Sequence, residues 1–242
     1  MDQLERPAFY ALRPGGWRDL VTLLHAPYTA WNLANVAIGA ALAPHLYPGR
    51  LVAALGAFFL AVGIGAHVLD ELHGRPMGTQ LSSRTLVWLA VLSLSGAAAI
   101  GIVGAVTISL SLIPFVLAGV FITAAYNLEW FGGRFHTTFW LAASWAAFPV
   151  LTAYWVNALE VRPAPLLAAG GCAMLLVVQR SLSTPVRELR RRTVSLTGEQ
   201  RLKDGSTVPL DAARLAAPME RALQSCALGM VLLATGLVVA RL

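Results

Sequence analysis

About seven stretches of roughly twenty mostly apolar residues follow one another along the chain, near 25–46, 51–72, 85–106, 109–130, 136–157, 163–181 and 217–240. A helix of that length matches the roughly 30 Å hydrocarbon thickness of a bilayer. No water exists there to satisfy open backbone groups, so such stretches are expected as helices, with Pro44 and Pro114 tolerated within them. The expected fold class is all-α: a polytopic membrane helical bundle of about seven transmembrane helices. Charged residues make up 12% of the chain and mean hydropathy is +0.66. Soluble domains carry about 25% charged residues, so this chain has too little polar surface for water. Because the apolar segments run its whole length, residues 1–242 are read as one integral membrane domain. Residues 1–20 hold Asp2, Glu5, Arg6, Arg13, Arg18 and Asp19 with no apolar h-region, so no cleavable signal peptide is expected. Cys172 and Cys226 fall inside apolar segments and read as buried thiols.

Basic residues set the orientation. Of the 18 Lys and Arg residues, only Arg50, Arg162 and Arg241 fall on one side of the expected spans. The rest gather on the other side, and by the positive-inside rule that side is cytoplasmic. The N-terminus is therefore expected in the cytoplasm and the C-terminus opposite, in the plasma membrane if the cell is prokaryotic. This placement accounts for the pI near 10 without a nucleic-acid partner; membrane lipids are the expected partners of the arginines. Residues 182–216 form the one long connection and read as a cytoplasmic cap loop. Within it, Ser183-Thr184-Pro185 reads as a helix start for Val186–Arg192. Lys203-Asp204-Gly205-Ser206 reads as a turn, and Asp211 as the cap of the last span.

Ionisable groups at membrane depth are costly and mark cavities or bundle interiors. His25, Tyr28, Asn32 and Asn35 form one helical stripe in the first span. The second span ends His67-Val68-Leu69-Asp70-Glu71, with His67 at i, i+3 and i+4 from the two acids. The fourth ends Tyr126-Asn127-Leu128-Glu129, Gly132 and Gly133 break the helix, and His136 opens the next span. His136, Trp140 and Ser144 continue at i, i+4 and i+8, and the sixth span ends Gln179-Arg180. All of these approach the cytoplasmic face. Two imidazoles with carboxylates suit a transition metal, and helical bundles build such sites from inward-projecting side chains. The expected ligands are His67, Asp70, Glu71, Glu129 and His136. Two readings stand beside this one: a helix end solvated by headgroups, and an ion-pair network with Arg75 or Arg180. His73 points away from His67, and Asn32 and Asn35 read first as interhelical hydrogen-bonding groups.

The pattern resembles the UbiA-type intramembrane prenyltransferase superfamily. Asp70-Glu71 running into Arg75-Pro76-Met77-Gly78-Thr79 resembles that family's Asp-rich first motif and its following Arg-Pro-Leu and Gly. Tyr126, the 129–135 loop, Ala142–Pro149, and the opening His25-Ala26-Pro27 with Gly39-Ala40-Ala41 sit in the corresponding register. The resemblance covers roughly residues 20–240. It implies a cavity open toward the cytoplasm and to lipid, and a lipidic or isoprenoid substrate whose diphosphate is clamped through Mg²⁺ by two Asp-rich motifs. The sequence departs from this. Ala66-His67-Val68-Leu69-Asp70 replaces Asn-Asp-x-x-Asp, Gln179–Arg192 holds no aspartate, and the chain is about two spans short of the usual nine. Exchanging Asp for His makes a softer site. The leading expectation is therefore a UbiA-like enzyme using a divalent metal, Fe or Zn, on a hydrophobic small-molecule substrate. His25, Tyr126 and Arg180 are the expected catalytic groups, and Asn32, Arg75 and Gln179 the expected binding groups. The alternatives are a divergent Mg-dependent prenyltransferase, with Asp70 and Glu71 holding Mg²⁺ and Arg180 or Arg187 standing in for the second motif on the diphosphate, and a non-catalytic lipid- or quinone-binding membrane protein.

Overall fold

The computed structural model describes residues 6–242; Asp2 and Glu5 lie outside the described residues. The chain is 74% helical, as an apolar chain that must satisfy its own backbone requires. A short helix α1 (Trp17–Leu23) leads into α2 (Ala26–Ala41). Six longer helices follow: α3 (Pro48–Gly74), α4 (Ser83–Thr107), α5 (Leu110–Asn127), α6 (Thr138–Ala158), α7 (Pro163–Arg191) and α8 (Ala212–Val239). These six are long and apolar enough to cross a membrane, and the chain is an integral membrane protein. Their most apolar windows are only 22–39% buried within the protein. Most of their hydrophobic surface faces outward, which suits lipid and would be intolerable in water.

The stretch expected as a first span at 25–46 forms α2, only 16 residues long. It is the inner element of the bundle, packed against α3, α6, α7 and α8, and ten of its residues are buried. Trp31, Ile38, Val150, Leu176 and Met230 join α2, α6, α7 and α8 in one core cluster. Gly39 lets α2 and α6 meet backbone to backbone: a Cβ there would lie 2.1 Å from the Val150 carbonyl oxygen. Small residues permit such close crossings between membrane helices.

Two π-helical stretches interrupt the spans, Phe59–Ala66 in α3 and Ala143–Ala147 in α6. Such bulges change the carbonyl pattern, and α2 exploits the second of them. Asn32 and Asn35 both donate through Nδ2 to the Trp145 carbonyl, at 2.9 and 3.3 Å. The interhelical role expected of the two asparagines is the one they have.

The connection after residue 182 differs from expectation. No new helix starts at Pro185, because α7 runs through it to Arg191. The Ser183 and Thr184 hydroxyls donate to the Arg180 carbonyl, filling acceptor capacity in the turn beside the proline. Beyond α7, strands β1 (Thr197–Arg201) and β2 (Thr207–Asp211) pair as an antiparallel hairpin that the polar, weakly alternating sequence did not announce. The expected turn joins them: Gly205 has a φ of 86°, and Asp204 Oδ1 accepts from the Ser206 N–H and hydroxyl. Those bonds hold the Asp204 carboxyl below its usual range. Asp211 caps α8 by accepting the Arg214 N–H at 2.7 Å.

Candidate binding cavity at the basic end of the bundle

A cavity of about 300 Å³ lies where α3, α5 and α7 end and α6 begins. Its inner wall is apolar, with Trp31, Val62, Leu141, Trp145 and Leu176. Toward the basic end it becomes polar. His25 and Tyr28 reach it from the start of α2, His67 and Asp70 from α3, Tyr126 and His136 from either side of the α5–α6 turn, and Gln179, Arg180, Arg187 and Arg191 from α7. The three arginines fall at i, i+7 and i+11, which share one face of a helix. Among the described residues lining the cavity, Asp70 is the only acid.

Two imidazoles are oriented by main-chain carbonyls. His67 Nδ1 lies 3.2 Å from the Gly63 oxygen, within the π stretch of α3. His136 Nδ1 lies 3.1 Å from the Tyr126 oxygen. A carbonyl can only accept, so each Nδ1 carries the proton, and in the neutral ring Nε2 keeps its lone pair. His25 stacks on His67, with centroids 4.1 Å apart, and its Nε2 is buried without a partner among the described residues. His136 stacks on Tyr126, with centroids 4.5 Å apart, and the Tyr126 hydroxyl accepts from Arg180 Nη1 at 3.1 Å.

The backbone is strained around this end. His25, Arg75, Glu129 and Phe131 have φ values of 43°, 51°, 50° and 58°, in a region non-glycine residues avoid. Gly132 and Gly133 continue the left-handed path at 66° and 75°. His136 therefore sits on a turn before α6, and the expected helical register from His136 through Trp140 to Ser144 begins only at Thr138.

The five residues expected to bind a metal are divided among three places. His67, Asp70 and His136 line the cavity. Glu71 is fully buried under the 75–79 loop: Oε2 accepts from the Met77 N–H at 2.9 Å, and Oε1 from the Thr79 N–H and hydroxyl, both at 2.8 Å. Glu129 stands half exposed at the surface, 3.9 Å from both His73 Nε2 and His136 Nδ1. His136 approaches Glu129, but Glu129 itself does not line the cavity. Among the described residues no group of three or more His, Cys, Asp or Glu is placed to hold a metal ion. The five expected ligands are thus not gathered at one point.

Of the expected binding and catalytic residues, His25, Asn32, Tyr126, Gln179 and Arg180 all line the cavity. Arg75 does not: its guanidinium braces the loop through the Thr79 and Leu81 carbonyls and the Ser83 hydroxyl. Two further residues belong to the site. Arg191 sits in the basic stretch 190–192, where nothing in the sequence sets it apart from its neighbours. Tyr10, from the segment before α1, lies 5.5 Å from His25 and 5.6 Å from Tyr28 between ring centroids. Burial pushes the Tyr10 hydroxyl well above the usual phenol range, so it stays protonated and can donate. No pattern around Tyr10 marks it, because its place depends on how the N-terminal segment folds back. No protein-family model, no curated protein and no solved structure matches this chain.

Proposed function

We propose that the chain is a UbiA-like membrane enzyme whose cavity binds a lipidic, isoprenoid substrate through an anionic diphosphate head. The observation that carries this reading is the placement of Arg180, Arg187 and Arg191 around a cavity whose only acid among the described residues is Asp70. Planar guanidinium groups match phosphate oxygens and hold them by charge-assisted hydrogen bonds. That balance favours an anion over a bare cation, so the divergent prenyltransferase reading gains over the metal-centred one. The arginines replace the missing second acidic motif by holding the diphosphate directly. The apolar inner wall receives the first part of the hydrocarbon chain. Arg180 also fixes the Tyr126 hydroxyl at the cavity wall, and the Nε2 lone pairs of His67 and His136 can take a proton from an acceptor substrate. In this reading α2 crosses the membrane as a seventh span, the basic end is cytoplasmic, and the C-terminus lies on the opposite side.

The test is binding of a short isoprenyl diphosphate to purified protein, followed by release of diphosphate when membrane lipid extract is added. A hydrogen bond to a charged group is worth about 1.5–3 kcal/mol, and about 1.4 kcal/mol is tenfold in affinity. Arg187→Ala or Arg180→Ala should therefore each weaken binding by roughly tenfold or more. Binding that is indifferent to both substitutions refutes the anion site. Tight binding without any turnover identifies a carrier instead of an enzyme.

A further inference from the structure

The segment before α1 reaches the cavity at its basic end. Tyr10 is the lining residue it contributes. Ala8 and Ala11 pack under it against Met77, and Ala11 is only 1% exposed. Polar bonds fasten the rest: Leu12 N–H to Thr22 Oγ1 at 3.0 Å and Gly15 N–H to Asp19 Oδ1 at 2.9 Å. The other Asp19 oxygen accepts the Gln80 N–H at 3.0 Å, tying the base of the segment to the loop before α4. Two alanines and a methionine bury little apolar area, so the segment depends strongly on these polar ties.

The last turn of α7 supplies two of them, and they are unequal. Arg190 donates to the Arg6 carbonyl at 3.2 Å, but it is also clamped by the Glu220 carboxylate of α8 through Nε and Nη2. A ligand in the cavity has no lever on that pair. Arg191 donates from Nε to the Pro7 carbonyl at 3.0 Å and from Nη2 to the Met77 sulfur at 3.4 Å, and it lines the cavity. Its tie to the segment is thus one neutral carbonyl, and its second bond goes to a weak sulfur acceptor in the 75–79 loop. A phosphate oxygen is a stronger partner than either, since charge-assisted bonds are roughly twice as strong as those to neutral acceptors.

We propose that residues 6–16 form a lid over the cavity, and that a phosphate or diphosphate group bound inside unlatches it by drawing the Arg191 guanidinium from the Pro7 carbonyl. The proposal rests on the anion reading of the cavity. It makes Arg191 a residue that both recognises the head group and reports its arrival to the N-terminal segment.

The experiment places a reporter under the lid. Ala11→Cys is introduced into the full chain with Cys172→Ala and Cys226→Ala, and labelling by a water-soluble maleimide is timed in detergent. Labelling should be slow in this parent and about tenfold faster when Arg191→Ala is added. Arg191→Lys, which keeps the charge but loses the fork of donors, serves if the alanine variant does not purify folded. Equal rates with and without the Arg191 substitution overturn the lid. Addition of diphosphate should speed labelling of the parent and leave the Arg191 variant unchanged. Acceleration by inorganic diphosphate means the free anion suffices; acceleration only by an isoprenyl diphosphate means a lipid-borne head is required. Either result supports unlatching. If neither speeds labelling while either raises the thermal stability of the parent, unlatching is overturned and the anion site stands. If neither ligand speeds labelling or stabilises the protein, the anion site itself fails and the inference with it.

Discussion

His25 and His67 stack face to face, with ring centroids 4.1 Å apart and planes 19° from parallel. One ring comes from the turn before α2, the other from the end of the π stretch in α3, and both line the cavity. His25 holds a left-handed backbone at this contact, with φ at 43°. That conformation costs a non-glycine residue roughly 1–2 kcal/mol, and strain of this kind persists where surrounding structure imposes it.

Replacing His25 should therefore separate strain from contact. His25→Ala and His25→Gly both lose the ring, but only glycine tolerates the left-handed turn. The glycine variant should be the more stable by about 1 kcal/mol, read by thermal unfolding in detergent. A less stable glycine variant would show that the turn is not strained.

Glu71 should behave as a structural anchor. Removing its carboxylate strands the Met77 and Thr79 N–H groups, and each buried unsatisfied donor costs about 1–3 kcal/mol. Glu71→Ala should thus unfold at markedly lower temperature, while Glu71→Gln, which keeps one acceptor oxygen, should recover part of the loss. Loss of substrate affinity with unchanged stability in Glu71→Gln would return this residue to the binding site.

Gly39 admits no side chain. A Cβ at 2.1 Å from the Val150 oxygen must push α2 from α6, and overpacking a well-packed contact typically costs about 1–3 kcal/mol. Gly39→Ala should lower thermal stability, and it should loosen the cavity because Asn32 and Asn35 dock on the same helix of the pair. Wild-type melting of Gly39→Ala would contradict the close crossing.

Topology gives a fourth prediction. With α2 spanning, reporter fusions at the two termini should report opposite sides of the membrane, the N-terminus inside. Both termini on one side would mean that α2 dips into the bundle without crossing it.

The apolar runs by themselves determined the helical membrane class and the positions of the six long spans, because helices are the open solution for such segments in lipid. The Asp204–Ser206 turn and the Asp211 cap were equally legible, since both depend on side chains bonding backbone a few residues away. The polar residues at the basic end were legible as a set, but their partition was not. Sequence depth put Glu71, Glu129 and Arg75 beside His67, yet the loop after α3 captured Glu71 and Arg75, and the left-handed turn at 129–133 left Glu129 at the surface. Tyr10 and Arg191 entered the site only through long-range contacts: the N-terminal segment folding back over the cavity, and α7 continuing through Pro185 to carry its arginines there. Helix spacing fixes which residues share a face and a depth. Only the packing of distant segments decides which of them meet.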